Sequence, residues 1–172
     1  MKRNIITLLI TVFAMLQATA QNYDNLWKQA DIIAQKDQPK SEIGVMKKII
    51  SKATAAKDYG QLLAAEMRQA ILWREISPDS LTPHVKRMET EAQKAKDPVL
   101  KAVRYAVLGK VYREVNGKKS EEFFRKALEQ PELLARHAST EYVPLTLKGV
   151  DGSSFKNDLL HLIGFEADSK EA

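Results

Sequence analysis

Three histidines, His84, His137 and His161, are the side chains best suited to acid–base or metal chemistry in this chain. They lie far apart and in different elements, with no H-x-x-x-H or H-E-x-x-H spacing to place two on one helical face. Ser80 and His84 fall on adjacent helical turns with Asp79 beside them. A hydrolytic triad needs its serine on a strained elbow and its base oriented by an acid. Nothing here has the G-x-S-x-G form, so Asp79 or Ser80 reads as a helix cap. Glu121-Glu122 reads as solvated helix surface rather than an acid and a base set across a cleft. Gly109 and Gly117 stand alone, so no loop cradles a phosphate. The absence of cysteine excludes a thiol nucleophile, a thiolate metal site and a disulfide. Trp27 and Trp73 fall at helical spacing and read as core, with a ligand groove as the alternative. The expectation is a non-enzyme with no cofactor and no metal.

Twenty residues at the start form a separate unit. Lys2-Arg3 is a basic n-region, Ile5 to Leu16 an apolar run, and Ala18-Thr19-Ala20 an A-x-A cleavage site. That layout predicts a secretory signal peptide cleaved before Gln21, and the apolar run is short of the roughly 20 residues a membrane span needs. The expected compartment is periplasmic or extracellular, without stable membrane insertion once the signal is removed. Loss of Lys2 and Arg3 lowers the formal charge from +5 to about +3. The remaining Lys and Arg read as interspersed with Asp and Glu rather than massed on one face, which argues against nucleic-acid binding. Hydrophobic residues make up 44% of the 172 and charged ones 28%, so the rest can bury a core.

The elements that must carry any site are helices. Tyr23, Leu26, Trp27, Ala30, Ile33 and Ala34 form one apolar stripe, which Pro39 is expected to end. A second helix, capped near Ser41, turns Ile43, Met46, Ile49, Ile50 and Ala53 inward. Asp58-Tyr59-Gly60 is the next break, and Leu63, Met67, Ala70, Ile71 and Arg74 share a side of the third helix. Ser77-Pro78-Asp79-Ser80 reads as a turn, with Pro83 in the first turn of a fourth helix that carries Leu81, Val85, Met88, Ala92 and Ala95. Asp97-Pro98 opens a fifth helix reaching about Val115 and closed by Gly117; Ser120 to Gln130 is the sixth, with Phe123, Phe124, Ala127 and Leu128 on one face. Strand-like alternation is missing over any useful length.

Pairs of helices begin near residues 22, 60 and 98, a period of about 38 that marks a helical-repeat array. In "VLGKVYREVNGKKSEEFFRKALEQPE", Leu108-Gly109, Tyr112, Phe124, Ala127 and Pro131 resemble the tetratricopeptide pattern L-G-x-x-Y, F-x-x-A, Pro. The predicted fold is all-α: antiparallel helix pairs stacked as a short tetratricopeptide-like array over 21–137, followed by an irregular tail over 138–172. In that tail Tyr142-Val143-Pro144-Leu145 is expected extended, and 149–152 a turn. A short last helix, capped by Ser153 or Ser154, directs Phe155, Leu159, Leu160 and Ile163 inward, and residues after Phe165 are expected to fray.

Two stretches carry a further resemblance. Tyr23, Leu26, Trp27 and Lys28, then Asp37, Pro39, Lys40 and Ser41, resemble the mature N-terminus of the large alpha-2-macroglobulin-like proteins of Bacteroidetes. Tyr142, Pro144, Leu145, Gly149, Asp151, Ser153, Phe155, Asp158 and Leu159-Leu160 resemble the segment that ends the helical region of those proteins. The macroglobulin domains of that family are missing here, and its thioester requires a cysteine this chain lacks. What the resemblance implies is a non-catalytic helical module, in stand-alone or truncated form, with a protein partner. The alternative is a small helical ligand-binding protein or enzyme with a site between helices. The inner helices of such an array, the first, third and fifth, are expected to present Lys28, Arg68, Arg104 and Arg113 outward as a candidate interaction surface.

Overall fold

The structure, a computed structural model, describes residues 23–145 and 156–168. Among these are eight α-helices, one 3-10 turn and no strand. The fold is all-α, and its helices pack as pairs.

Helix α1 spans 23–34 and ends before the proline expected to stop it. The chain turns at Asp37, whose φ of 52° is left-handed, and Pro39 becomes the first residue of α2 (Pro39–Ala56). A proline suits that position because the N–H it lacks has no intrahelical partner there. Gln38, not Ser41, occupies the cap position, with no side-chain bond. At the far end of α2, Lys57 takes a left-handed φ of 55° and its N–H reaches back to Ala53 and Thr54. Asp58 then caps α3 (Tyr59–Ile76), accepting from the Gln61 N–H at 3.2 Å.

Ser77 alone separates α3 from α4 (Pro78–Lys94). Pro78 takes the first-turn position expected of Pro83, which instead sits inside the helix and supplies no N–H there. Asp97 caps α5 (Pro98–Tyr112), accepting from Leu100 N–H at 2.9 Å. Gly117 does not close α5. Its φ is not positive, and it opens α6 (Gly117–Ala127) behind Asn116, whose side chain accepts from Lys119 N–H. The Asn cap explains the shift: an Asx side chain facing two free N–H groups starts a helix more readily than glycine ends one.

Helices α1, α3 and α5 begin at 23, 59 and 98, close to the expected spacing of about 38. Helix α3 packs on α2, α4 and α5, and α5 on α3, α4 and α6. One apolar cluster joins α1, α2 and α3 around Met46, Ile49 and Leu62; a larger one joins α3 to α6 around Val103, Val107 and Phe124. Eleven of the fifteen α5 residues are buried, which makes it the central helix.

The described part of the tail holds more helix than its sequence suggests. A four-residue helix α7 (Pro131–Leu134) and a 3-10 turn (Ser139–Tyr142) precede a cis Val143–Pro144 bond; of the expected extended run, Val143 is extended while Tyr142 belongs to the 3-10 turn. Helix α8 (Leu159–Asp168) packs on α5, α6 and α7 and continues past Phe165 instead of fraying. Ser139 N–H donates to Asn157 O and Leu159 N–H to His137 O, both at 2.9 Å, tying the two halves of the tail. Gly60 is needed where the tail crosses α3: a Cβ there would lie 2.3 Å from the Val143 carbonyl oxygen. The signal segment, the 149–152 turn, the Ser153 or Ser154 cap and Phe155 lie outside the described residues.

Candidate interaction surfaces

Polar rungs join α1 to α3, α3 to α5 and α5 to α8. From α1 to α3, the Trp27 indole N–H donates to Gln61 Oε1 at 2.7 Å and Arg68 Nη1 pairs with Asp31 at 2.9 Å. Between α3 and α5, Arg104 Nη1 reaches Glu66 at 3.3 Å and Arg74 pairs with Glu114. The last rung joins α5 to α8: Lys110 and Arg113 meet the Glu166 carboxylate at 2.8 and 3.3 Å, and Arg113 also donates to the Glu166 backbone oxygen.

These rungs decide where the four cations expected on the surface stand. Lys28 is exposed on α1, one turn from Ile32, which is 53% exposed. Arg68 is only part-exposed, because its guanidinium is shared between Asp31 and the buried Glu42, a ligand from α2. Arg104 does not point outward: it is 8% exposed and bonded to Glu66, since α5 is covered on the sides that an inner repeat helix would leave open. Arg113 likewise faces α8, with its guanidinium on Glu166 and 5.3 Å from the Phe124 ring centroid. The structure therefore brings none of Arg68, Arg104 and Arg113 together with Lys28 on one free face; each is engaged in a different rung.

Electrostatics follow from the same burial. Burial raises the Glu66 carboxyl above its usual range, opposed by Arg104 and Arg87. Burial, then Arg87 and Lys47, lowers the His84 imidazole. Its ring stacks on Trp73 with centroids 5.0 Å apart, while the buried Trp73 indole N–H has no acceptor. That stacking gives His84 a packing partner in place of the Ser80 alignment a triad would need. His137 lies against Glu141 at 2.9 Å and His161 against Asp158 at 2.7 Å, each within its own short segment. Among the described residues no group of three His, Asp or Glu is set to hold a metal ion.

Grooves open between the described helices, among them one of about 240 Å³ between the α1–α2 turn and α3 beside Arg68. A second, of about 280 Å³, lies between α4 and the α5–α6 turn, floored by Leu81, Val85 and Tyr112. Its rim carries a Glu89 carboxylate that accepts from Tyr112 Oη at 2.7 Å. Another, of about 220 Å³, lies between α5, α6 and α7 beside Tyr105.

A charged surface escaped the sequence reading. The exposed side of α2 carries Lys40, Lys47 and Lys48, while Glu42, its single acid, is 3% exposed and turned in to Arg68. Lys and acid alternate along the chain but not on this face. The signal was present: Glu42 adjoins Ile43 on the inward stripe, whereas Lys40 and Lys47 share the opposite one at a spacing of seven.

Comparison of the chain with models of known protein families, with curated proteins and with solved structures finds no match in any of the three.

Proposed function

We propose that this chain is a non-catalytic, exported helical-repeat module for protein–protein interaction, tetratricopeptide-like in organisation. On this reading it corresponds to the N-terminal helical region of the alpha-2-macroglobulin-like proteins its end segments resemble. The carrying observation is the series of rungs that ties α1 to α3, α3 to α5 and α5 to α8, the first two at the repeat separation. Elements that stack in this way touch chiefly their neighbours and serve as extended binding surfaces rather than reaction sites. Lys28 is the cation of the four left free to meet a partner, and Ile32 beside it supplies exposed apolar area. Pull-down from envelope extract tests the reading: the wild type is expected to retain a protein that Lys28→Glu/Ile32→Asp loses, at unchanged helicity.

A second reading, a ligand site between helices, has one observation in its favour. The buried Trp73 indole N–H lies unpaired beneath His84, where a small acceptor-bearing ligand would satisfy it. A ligand screen read by Trp73 fluorescence, in a Trp27→Phe background, decides between them: a saturable change favours this second reading.

A further inference from the structure

The outer face of α2 carries lysines and no acid. Lys40, Gly44, Lys47, Lys48, Ser51 and Ala55 all share it by helical spacing, and all are exposed. Lys40, Lys47 and Lys48 make no ion pair among the described residues. The acids near the helix lie at its ends: Asp37 in the turn before it, and Asp58, whose carboxylate is committed to capping α3. On the α4 side Lys47 and Arg87 both bear on His84, Arg87 being half exposed and 3.9 Å from the buried Glu66 carboxylate.

We propose that this face of α2 is a peripheral docking surface for an anionic phospholipid bilayer. Charge complementarity selects the partner class, and the residue types narrow it. Lysine is a hydrated point charge on a flexible stem, suited to a diffuse array of phosphates and poorly suited to bidentate recognition of one carboxylate. Between the lysines stand glycine, serine and alanine, and a Cβ added at Gly44 would meet nothing within 4 Å. The face lacks the buried aromatic or arginine anchor that a protein interface uses. It has no aromatic ring on which a nucleobase would stack. A lipid surface requires neither anchor nor stacking platform, only closely spaced cations. No helix among the described residues is long and apolar enough to cross a membrane, and the proposed contact is adsorption, not insertion.

Flotation of the full chain with two kinds of vesicle tests this: phosphatidylcholine alone, and phosphatidylcholine mixed with phosphatidylglycerol. The ratio of binding to the two cancels the contribution of the N-terminal apolar run, and comparison with the variants, which all keep Lys2 and Arg3, cancels that of its two cations. Preference for the anionic vesicles is expected, and it should collapse as salt rises to about 0.5 M. Each surface lysine near an anionic leaflet contributes about fivefold, so Lys47→Ala/Lys48→Ala should lower the ratio roughly 20- to 30-fold. A control of equal charge loss on α6, Lys118→Ala/Arg125→Ala, should leave the ratio within about twofold. Equal binding to both vesicles, or an equal loss in the control, overturns the proposal. So does retention on polyglutamate without any vesicle preference.

Discussion

Replacing Gly109 with alanine sets two opposed effects of known size against each other. Within a helix the change should stabilise by about 1 kcal/mol, because alanine loses less backbone freedom on folding. Against this, a Cβ at 109 would lie 2.7 Å from Phe124 Cδ2, 2.8 Å from Cε2 and 2.9 Å from Cγ. Such separations are well inside van der Waals contact, and they involve the body of a ring rather than the end of a flexible chain. Phe124 is 4% exposed and bears the Arg113 guanidinium 5.3 Å from its centroid, so it has little room to swing aside. Ser120 Oγ also donates to the Gly109 carbonyl at 2.8 Å, which pins α5 and α6 at this separation. Overpacking a rigid core site costs about 1–3 kcal/mol, and this one belongs at the upper end. The clash wins, leaving a net loss of about 2 kcal/mol, a fall in Tm of about 4–8 °C for a chain of this size. Urea and thermal denaturation followed by circular dichroism read it. In a Phe124→Leu background the ring is gone and Gly109→Ala should turn neutral or stabilising by up to about 1 kcal/mol. A Gly109→Ala protein as stable as the wild type would refute the reasoning, as would an equal loss in both backgrounds.

Other rungs and sites give further expectations. Glu166→Ala strips the acid from Lys110 and Arg113; since both cations are part-exposed and can be rehydrated, the loss should be about 2 kcal/mol rather than the 3–5 of a fully buried pair, read by urea denaturation. Trp27→Ala should cost about 2–3 kcal/mol, below the full burial value, because the ring is half-buried between the two clusters while its N–H holds Gln61. For His84, the folded imidazole takes up its proton less readily than the unfolded one, so stability is complete above the ordinary histidine range and falls as pH drops through it. His84→Phe keeps the stack on Trp73 and should remove that part of the acid-side loss, seen by comparing Tm at neutral and mildly acid pH.

Much of the architecture is legible in the sequence because burial writes itself as a 3.6-residue period. The stripe of Ile43, Met46, Ile49 and Ala53 is buried as its spacing predicts, and Asp97 begins α5 where an acid before proline should. Boundaries are read less well where two signals compete. Pro39 and Gly117 both read as terminators, yet each occupies the first helical position, where a missing N–H or a missing side chain costs little. The side of a long cation is the hardest feature to read. Arg104 lies only two residues before Ala106, but its surroundings are set by Glu66, 38 residues earlier. Arg113 is decided by Glu166, from a tail helix whose final residues look solvent-facing in sequence. Likewise the cationic face of α2 emerges only when Glu42 is seen to turn inward.

The central claim, that the chain recognises a protein through the free face of α1, is tested most directly by site-specific photo-crosslinking from position 32 in cells that export the chain. A photoreactive residue at Ile32 should give one discrete protein adduct, abolished by Lys28→Glu, while the same probe at exposed Thr82 of α4 gives none. Adducts of equal yield from both positions, or none from either, would contradict it.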